Sequence, residues 1–382
     1  MQFGHSLKKP NFRCSIYLFT AFIFIFSLLV VDSGQAIVNK DVLLNSFGTI
    51  VYPTPTVFDE MITLRGINCL SASHSTSNNM ALIRNSGGNA IRILVYMTQI
   101  TNPTYLQEMK DMVALAKANG LTVVLTFNGY YDLTNGEYES PVVMNSQHKA
   151  EAIFNENGFG DYWISLYSTA VEELQPDWVD PMNEPPNKYY TTYDSSKTYQ
   201  QVYDTYLAFM VKCMDAFITI KPDLKFMFES CPFWDNSYAF VSPRIDELRP
   251  AYTIMYEVHL YYLFEGGSPA DPSKDYEYSY WQGDLTSAKS QLYSYLLDSY
   301  PHIRTALDLD LDIYLAEAGT NSNNPNWSSF MNDMFSFFDT YNLGLMWHSW
   351  YYSGVNGVQG MLNEDWETLN SVGNHWANLV VK

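Results

Sequence analysis

The sequence predicts an α/β fold in which eight parallel strands close into a single (β/α)8 barrel, the TIM barrel. From residue 60 onward, short apolar or β-branched runs alternate with longer stretches of helical periodicity, which is the pattern of repeated βα units. Eight such runs can be counted, and closing them into a barrel removes the edges that an open sheet would expose. The chain of 382 residues suits one such domain, and no linker or repeat indicates a second.

The predicted elements follow one another with loops of unequal length. Strands are expected at residues 62–68, 90–95, 121–127, 178–183, 225–229, 254–259, 312–317 and 344–349. Helices are expected at residues 105–119, 162–174, 199–220, 285–297 and 327–341, where apolar residues recur with helical spacing. The longest loops, at residues 128–157, 185–196 and 263–283, follow strand carboxyl ends, where a barrel builds its site. Residues 37–59 are expected to form an extension that closes the barrel floor.

The amino terminus is predicted to be a secretory signal peptide. Three basic residues precede an apolar run at residues 16–31, and the small residues that follow indicate cleavage after Ala36. The run is somewhat short for a membrane span of roughly 20 residues. We therefore expect residues 1–36 to be removed and residues 37–382 to form a secreted catalytic domain. An uncleaved N-terminal anchor, with the domain outside the membrane, is the alternative.

The charge of the chain indicates which partners to expect. Removal of the signal peptide would take away three of the 21 basic and one of the 41 acidic side chains, leaving 18 and 40 and a net charge of −22. Such a surface repels nucleic acid and anionic membranes and suits a neutral partner. Aromatic residues make up 16% of the chain, with 30 tyrosines among them, and rings of this kind stack on sugar faces. We expect a monomer acting on a polysaccharide or oligosaccharide.

The cysteines predict neither a disulfide framework nor a metal site. Cys14 would leave with the signal peptide, so Cys69, Cys213 and Cys231 would remain, an odd number. None has histidine or cysteine partners at ligand spacing, so buried thiols are the favoured interpretation. We expect no metal and no cofactor.

One stretch, residues 178–186, organises the prediction of function. A short apolar run there ends in Asn183-Glu184-Pro185, and prolines that cannot donate to a strand ladder stop it. A strand that ends in this way presents its last side chains at the barrel rim. A surface turn that happens to contain glutamate is the alternative. A second carboxylate at a matching strand end, Glu317, favours a site.

Polar and aromatic side chains collect at the ends of the other predicted strands. They are Arg92, Asn128, Asn183, Glu184, His259, Tyr261, Glu317, Trp347 and Trp350. Cleavage of a glycosidic bond needs one carboxyl group to protonate the leaving oxygen and a second to attack the anomeric carbon or to activate water. Glu184 and Glu317 end the fourth and seventh strands, so they are expected to face each other across the top of the barrel.

The motifs at these strand ends resemble those of glycoside hydrolase family 5, which contains many cellulases and mannanases. In order, they are Asn89-Ala90-Ile91-Arg92, Asn183-Glu184-Pro185, Tyr256-Glu257-Val258-His259-Leu260-Tyr261, Ala316-Glu317-Ala318-Gly319 and Trp347-His348-Ser349-Trp350. Each motif alone is weak, but five in this order at predicted strand ends are specific. The resemblance begins near Leu64 and covers nearly the whole mature chain. It implies a retaining glycosidase on a (β/α)8 barrel.

The resemblance also implies a role for each residue. Glu184 would be the general acid/base and Glu317 the nucleophile. Arg92 would lie beneath Glu317 and keep it ionised, and Asn183 would bind the sugar 2-hydroxyl. His259 and Tyr261 would hydrogen-bond the two carboxylates or the substrate, and Trp350 would form the floor of the sugar subsite before the scissile bond. Further candidates for stacking on sugars are Trp234, Trp281 and Trp327.

Several of these residues have simpler interpretations. Arg92 could be a structural ion-pair partner, and His259 a core histidine with satisfied hydrogen bonds. Trp347 is expected in the core, because it and Trp350 are three apart on a strand and face opposite ways. The chain also departs from the family, which usually has histidine at the end of the third strand, where this sequence has Phe127-Asn128. Asn128 could supply a polar contact there, but Phe127 cannot.

The preferred hypothesis is a secreted retaining endo-β-glycosidase that hydrolyses a β-1,4-linked polysaccharide of the cellulose or β-glucan type. A β-mannanase or a transglycosylase would use the same catalytic residues. A catalytically silent carbohydrate-binding barrel is the alternative from another class, because one fold hosts many functions. The sequence leaves the sugar, the endo or exo mode and the working pH open.

Overall fold

The structure of the protein is a computed structural model. The residues it describes are 63–69, 75–129, 141–185, 199–229, 241–259, 293, 297, 301–319, 327–349, 360–363, 365 and 367–380, together with the short strands Leu43–Leu44 and Ile50–Val51. At the starts of four helices, residues 141–146, 199–200, 241–243 and 301–302, only the backbone is described.

The chain divides into two compact units, Met1–Pro53 and Thr54–Lys382. In the first unit, Leu43–Leu44 pairs antiparallel with Ile50–Val51. The rest of the predicted extension at residues 37–59, and the predicted signal peptide, lie outside the described residues. Where the chain is described, no helix combines the length and the apolar character needed to cross a membrane.

The second unit contains the predicted closed barrel of eight parallel strands. The strands are β1 (Arg65–Cys69), β2 (Ala90–Tyr96), β3 (Thr122–Asn128), β4 (Trp178–Asp180), β5 (Lys225–Glu229), β6 (Ile254–His259), β7 (Ile313–Ala318) and β8 (Gly344–Trp347). Each pairs with the next in sequence order, and β8 pairs with β1 to close the ring. Because all eight strands run the same way, their carboxyl ends meet at one rim.

The strand boundaries differ from the predicted ones by up to three residues. β4 was expected to reach Asn183 but ends at Asp180, because Pro181 has no N–H to donate to the ladder. Asn183 nevertheless keeps one backbone bond to β3, from its N–H to the carbonyl of Phe127 at 2.7 Å. β7 runs one residue further than expected, so that Glu317 is its penultimate residue.

Helices lie between the strands along the chain. They are α1 (Ser77–Asn85), α2 (Met97–Thr101), α3 (Pro103–Ala118), α4 (Pro141–Ile153), α5 (Phe159–Leu174), α6 (Tyr199–Ile220), α7 (Val241–Asp246), α8 (Pro301–Asp308), α9 (Trp327–Tyr341) and α10 (Ser371–Val380). The start of α3 shows why a helix begins there: the side chain of Asn102 accepts a hydrogen bond from the N–H of Thr104, and Pro103 occupies the first turn. The helix expected at residues 285–297 lies outside the described residues except for Tyr293 and Leu297.

Two apolar layers enclose the strands. The larger lies outside the barrel, between strands and helices, and includes the buried free thiols of Cys69 and Cys213, whereas Cys231 lies outside the described residues. The smaller fills the lower barrel interior with Leu64, Ala90, Val124, Trp178, Met227, Met255, Tyr314, Ala316 and Met346. Gly66 allows close packing here, because a Cβ at this position would lie 2.4 Å from the sulfur of Met346 and 2.3 Å from the carbonyl oxygen of Ala90. Polar residues occupy the barrel above this layer.

Candidate active site

Glu184 lies just beyond the end of β4, in a turn that exposes its side chain. Its φ is +46°, in the left-handed region that non-glycine residues seldom adopt. The turn is anchored from below: the indole of Trp163 donates to the carbonyl of Pro181 at 3.2 Å, and the N–H of Met182 donates to the carboxylate of Asp180 at 3.0 Å. The Glu184 side chain is 30% exposed, which makes it accessible from the barrel mouth.

Glu317 reaches the same rim from the opposite side of the barrel. It lies within β7, in a strand whose residues are all buried, and its side chain is 7% exposed. Carboxylate oxygens of Glu184 and Glu317 come within 4.8 Å of each other, with a ring nitrogen of His259 at the same spacing. The two predicted catalytic carboxylates therefore lie side by side.

Arg92 on β2 is fully buried and holds the group together. Its Nη1 donates to Glu317 Oε1 at 2.7 Å and to Asn68 Oδ1 at 3.0 Å. Its Nη2 lies 2.7 Å from Asn183 Oδ1 and 2.9 Å from Glu257 Oε1. A fixed cation against one oxygen of Glu317 favours the ionised carboxylate. Arg92 is thus a structural ion-pair partner and a neighbour of the candidate nucleophile at once.

His259 at the end of β6 links the two sides of the site. Its Nδ1 lies 3.1 Å from Glu184 Oε1 and its Nε2 lies 3.2 Å from Glu257 Oε1. Burial lowers its pKa, but the charges of Glu229 and Glu317 and these hydrogen bonds raise it, and the net result is a pKa well above the ordinary histidine value. A raised pKa favours the protonated ring, in which both nitrogens can donate to these carboxylates.

Three further carboxylates lie beneath the rim, and the sequence analysis did not identify them. Asp180, Glu229 and Glu257 are each at most 2% exposed. Burial and the charge of Glu257 raise the pKa of Asp180 to about 7, despite the opposing effect of Arg92. Burial also raises the pKa of Glu229 well above its ordinary value. Burial therefore favours the protonated forms of Asp180 and Glu229.

A buried lysine and a second histidine complete the cluster. Lys149 on α4 is 2% exposed, and its Nζ donates to the backbone carbonyl of Glu184 at 3.3 Å. Burial lowers the pKa of Lys149, and the nearby carboxylates, Glu184 first among them, partly restore it. His348, which precedes a cis peptide bond to Ser349, has its Nδ1 3.8 Å from Glu317 Oε2. Burial lowers the pKa of His348, so that it faces Glu317 as a neutral ring.

Two sets of side chains have the spacing of metal ligands, Glu184 with His259 and Glu317, and Glu229 with Glu257 and His259. Both sets depend on His259, whose two ring nitrogens contact Glu184 and Glu257.

Two further predicted site residues, Asn183 and Asn128, are buried, and their side-chain oxygens accept hydrogen bonds. Asn183 is 3% exposed, and its side-chain oxygen accepts from Arg92. Asn128 is also buried, and its side-chain oxygen accepts from the N–H of Gly129 at 3.1 Å. Phe127, at the position of the family's histidine, faces out of the barrel and stacks on Tyr167 with ring centroids 4.1 Å apart. The roles of Asn183 and Asn128 in binding sugar stay predictions.

Of the aromatic residues that the sequence analysis singled out, only Trp327 and Trp347 lie among the described residues. Tyr261, Trp350, Trp234 and Trp281 lie outside the described residues. Trp327 packs edge-on against His375 of α10, with ring centroids 5.2 Å apart. Trp347 is fully buried and packs on Phe335, in the core as expected.

The site residues that the sequence analysis did not identify differ in how clearly the sequence indicates them. Glu229 and Glu257 interrupt apolar strand sequences, and Glu257 shares the strand phase of His259, so both could have been found. Asp180 likewise ends a buried strand. Lys149 had no such signal, because it lies on α4, within residues 128–157, which were predicted to be a loop.

Comparison with known proteins identifies the family of the chain and solved structures that share its fold. Residues 55–354 match the family model of cellulase, glycosyl hydrolase family 5. A complex of the endocellulase from Pyrococcus horikoshii with cellotetraose superposes with a TM-score of 0.58 at 16% identity, over 84% of this chain and 93% of that one. A β-mannanase from Streptomyces thermolilacinus with mannohexaose gives a TM-score of 0.51 at 16% identity, over 83% and 88%.

Among curated proteins, no significant match is found. The solved structures are too distant in sequence to show more than a common fold. The family model, however, spans most of the chain and includes the strand ends that carry Arg92, Glu184, His259 and Glu317. The chain therefore belongs to glycosyl hydrolase family 5 and is a glycoside hydrolase.

Proposed function

We propose that the protein is a retaining endo-β-glycosidase that hydrolyses a β-1,4-linked polysaccharide of the cellulose or β-glucan type by double displacement. The observation that carries the proposal is the approach of carboxylate oxygens of Glu184 and Glu317 to within 4.8 Å. Retaining enzymes hold their two carboxyl groups about 5 to 5.5 Å apart, whereas inverting enzymes separate them by roughly 6.5 to 9.5 Å to admit water. The spacing here supports retention.

In the first step, Glu317 attacks the anomeric carbon as the glycosidic C–O bond breaks. Glu184, in its protonated form, gives its proton to the leaving oxygen, and the sugar remains as an ester of Glu317. The contacts support this division of labour. Glu317 is buried against Arg92, which keeps a nucleophile ionised, whereas Glu184 is exposed enough to meet a leaving group.

In the second step, Glu184 takes a proton from water, which attacks the anomeric carbon and releases Glu317. The same carboxyl group thus acts first as acid and then as base. His259 donates to Glu184 at 3.1 Å and stabilises its ionised form between the steps.

The choice of substrate is supported by the similar solved structures and by the charge of the chain. The endocellulase and β-mannanase that share the fold point to β-linked polysaccharides. The strongly acidic chain, with a formal net charge of −20, suits a neutral polymer better than an acidic one. A β-mannan is the second candidate, because a β-mannanase superposes at the same sequence identity as the endocellulase. The predicted signal peptide would place the enzyme outside the cell, where such polymers occur.

The test is release of reducing sugar by the purified protein from carboxymethyl cellulose, mixed-linkage β-glucan, xyloglucan, xylan and mannan. The variants are Glu184→Gln and Glu317→Gln, with Glu172→Gln as the matched control on the exposed face of α5. Proton NMR of the first product gives its anomeric configuration.

We expect release from a glucan, initial formation of the β-anomer, and loss of activity in both catalytic variants but not in the control. Initial formation of the α-anomer would overturn double displacement. Release from mannan alone would establish the second candidate. Activity that survives both substitutions, or no activity on any polymer despite sugar binding, would overturn the proposal.

A further inference from the structure

The backbone of Glu184 is held in an unfavourable conformation. Its φ of +46° places a residue with a full side chain in the left-handed region. Such a conformation is energetically unfavourable and persists only where the surroundings impose it. Since Glu184 is the candidate acid/base, the groups that impose this conformation also set the direction of its carboxyl group.

Two buried ionisable side chains bind the two peptide groups of Glu184. Its N–H donates to Oε2 of Glu229 on β5, and its carbonyl accepts from Nζ of Lys149 on α4 at 3.3 Å. Both side chains are 2% exposed. They come from elements on either side of the β4 turn in sequence, and neither of these bonds uses the carboxyl group of Glu184.

Burial of this pair is costly, so a packing role alone does not explain it. Desolvating an ionisable group is unfavourable even after relaxation, and an apolar side chain would fill the same space without that cost. Lys149 also lies within electrostatic range of Glu184, Glu229 and Asp180. Charge neutralisation is one possible function of such a lysine, but neutralisation does not require a bond to the Glu184 carbonyl.

We propose that Lys149 and Glu229 are positioning residues, which hold the peptide of Glu184 in its left-handed conformation and so aim its carboxyl group at the leaving oxygen. The proposal rests on the assignment of Glu184 as acid/base. Without Lys149, the carbonyl of Glu184 loses its buried donor and the turn relaxes towards ordinary backbone angles. The carboxyl group then moves away from the scissile bond, while Glu317, held by Arg92, stays in place.

This displacement has a distinctive kinetic signature. A sugar leaving group is a poor one and needs the proton of Glu184, whereas 2,4-dinitrophenolate leaves without it. A shift of about 1 Å in a catalytic group can cost on the order of 10²-fold in rate. The loss should therefore appear with the sugar leaving group and be absent with dinitrophenolate. A general loss of folding or binding would affect both substrates alike.

The experiment compares kcat/KM for a cello-oligosaccharide and for 2,4-dinitrophenyl β-cellobioside, using the whole protein. Variants are Lys149→Met, Lys149→Arg and Glu184→Gln. Lys117→Met is the matched control, because Lys117 also donates to a backbone carbonyl, that of Gln175, but on the exposed surface of α3. Thermal unfolding of each variant verifies that it is folded.

For Lys149→Met we expect a loss of about 10- to 100-fold on the oligosaccharide and less than about 3-fold on the dinitrophenyl substrate. Lys149→Arg, which keeps a donor, should recover most of the loss, and Lys117→Met should match the wild type. Equal losses on both substrates, or no loss, would overturn the proposal. If Glu184→Gln itself lost activity equally on both, the assignment of Glu184 would fail instead.

Glu229 offers a second route if Lys149→Met does not fold. Glu229→Gln keeps an oxygen that can accept from the N–H of Glu184, whereas Glu229→Leu removes it. We expect the selective loss on the oligosaccharide in Glu229→Leu and near wild-type selectivity in Glu229→Gln. Identical behaviour of the two variants would contradict a positioning role through this hydrogen bond.

Discussion

The two carboxylates of the site are held in different ways. Glu317 belongs to a regular buried strand, and its carboxyl group is bound directly by the guanidinium of Arg92 at 2.7 Å. Glu184 lies beyond the end of its strand with a left-handed backbone, and it is this backbone that Lys149 and Glu229 hold. The side chain of Glu317 is 7% exposed, whereas that of Glu184 is 30% exposed.

This difference matches what the two proposed roles require. A nucleophile acts in one charge state and benefits from a cation fixed against it. An acid/base must gain and lose a proton in every cycle, so a permanently charged guanidinium bound directly to its carboxyl group would hinder it. The peptide groups of Glu184 fix its direction, and its carboxyl group contacts the titratable ring of His259 at 3.1 Å instead of a guanidinium.

The sharpest test of the comparison is chemical rescue by azide. Glu317→Ala should lose on the order of 10⁴- to 10⁶-fold in kcat, by analogy with other nucleophile deletions, and azide entering from the vacated side should give the α-glycosyl azide. Glu184→Ala should lose about 10²- to 10⁴-fold on polysaccharide. There azide should replace water in the second step and give the β-glycosyl azide. NMR of the products assigns both roles, and the reverse stereochemistry would exchange them.

The next largest effect is expected on stability, from Arg92→Met. Removing this buried cation leaves Glu257 and Glu317 uncompensated, and breaking a buried ion pair typically costs about 3–5 kcal/mol. Urea unfolding gives the change in free energy.

Arg244→Met is the matched control for Arg92→Met. Arg244 is 38% exposed and pairs at 3.1 Å with Asp204 and at 3.2 Å with Glu247, and exposed pairs of this kind are worth roughly 0–1 kcal/mol each. Similar losses in the two variants would mean that the cluster around Arg92 contributes no special stability.

The smallest predicted effect is on the pH dependence of stability, and it comes from Asp180, one of the three carboxylates beneath the rim. The pKa of Asp180 is raised to about 7, so between about pH 4 and 7 the folded protein keeps a proton that the unfolded chain releases. Stability should therefore fall as pH rises through this window. Asp180→Asn should make the slope shallower by up to roughly 1 kcal/mol per pH unit.

His259 provides the internal reference for that measurement. Its raised pKa contributes stability that is complete below about pH 6.5 and is lost as pH rises through the folded value. The decline above pH 7 should thus remain in Asp180→Asn. An unchanged slope between pH 4 and 7, measured by thermal unfolding across the range, would show that Asp180 does not hold the proton.

Much of the fold and the upper rim of the site could be predicted from the sequence. β-branched runs of strand length and their number specify the barrel, and strands that end in Glu184, His259 and Glu317 identify the rim, because parallel strands place their carboxyl ends together. The three carboxylates beneath the rim were harder to predict. Asp180, Glu229 and Glu257 lie within strands, where only the exact register shows whether a side chain points inward.

Lys149 and the turn at Glu184 were beyond prediction for a different reason. Lys149 lies on α4, 35 residues before the carbonyl that it binds, and no periodic pattern in the sequence links a helical residue to a turn at that distance. The left-handed backbone of Glu184 contradicts the local preference of glutamate. Tertiary contacts impose it, so no short window of sequence could indicate it.

The position of Arg92 also has a consequence for how the protein folds. Its guanidinium contacts Asn68, Thr126, Asn183, Glu257 and Glu317, which are spread over a sequence separation from 24 to 225 residues. These partners come from β1, β3, the β4 turn, β6 and β7, so they surround Arg92 only when the ring of strands is closed. A partly assembled barrel would leave an arginine and several carboxylates half-desolvated without their full set of partners. Catalytic competence therefore arises at the last stage of assembly and is lost when any of these strands detaches.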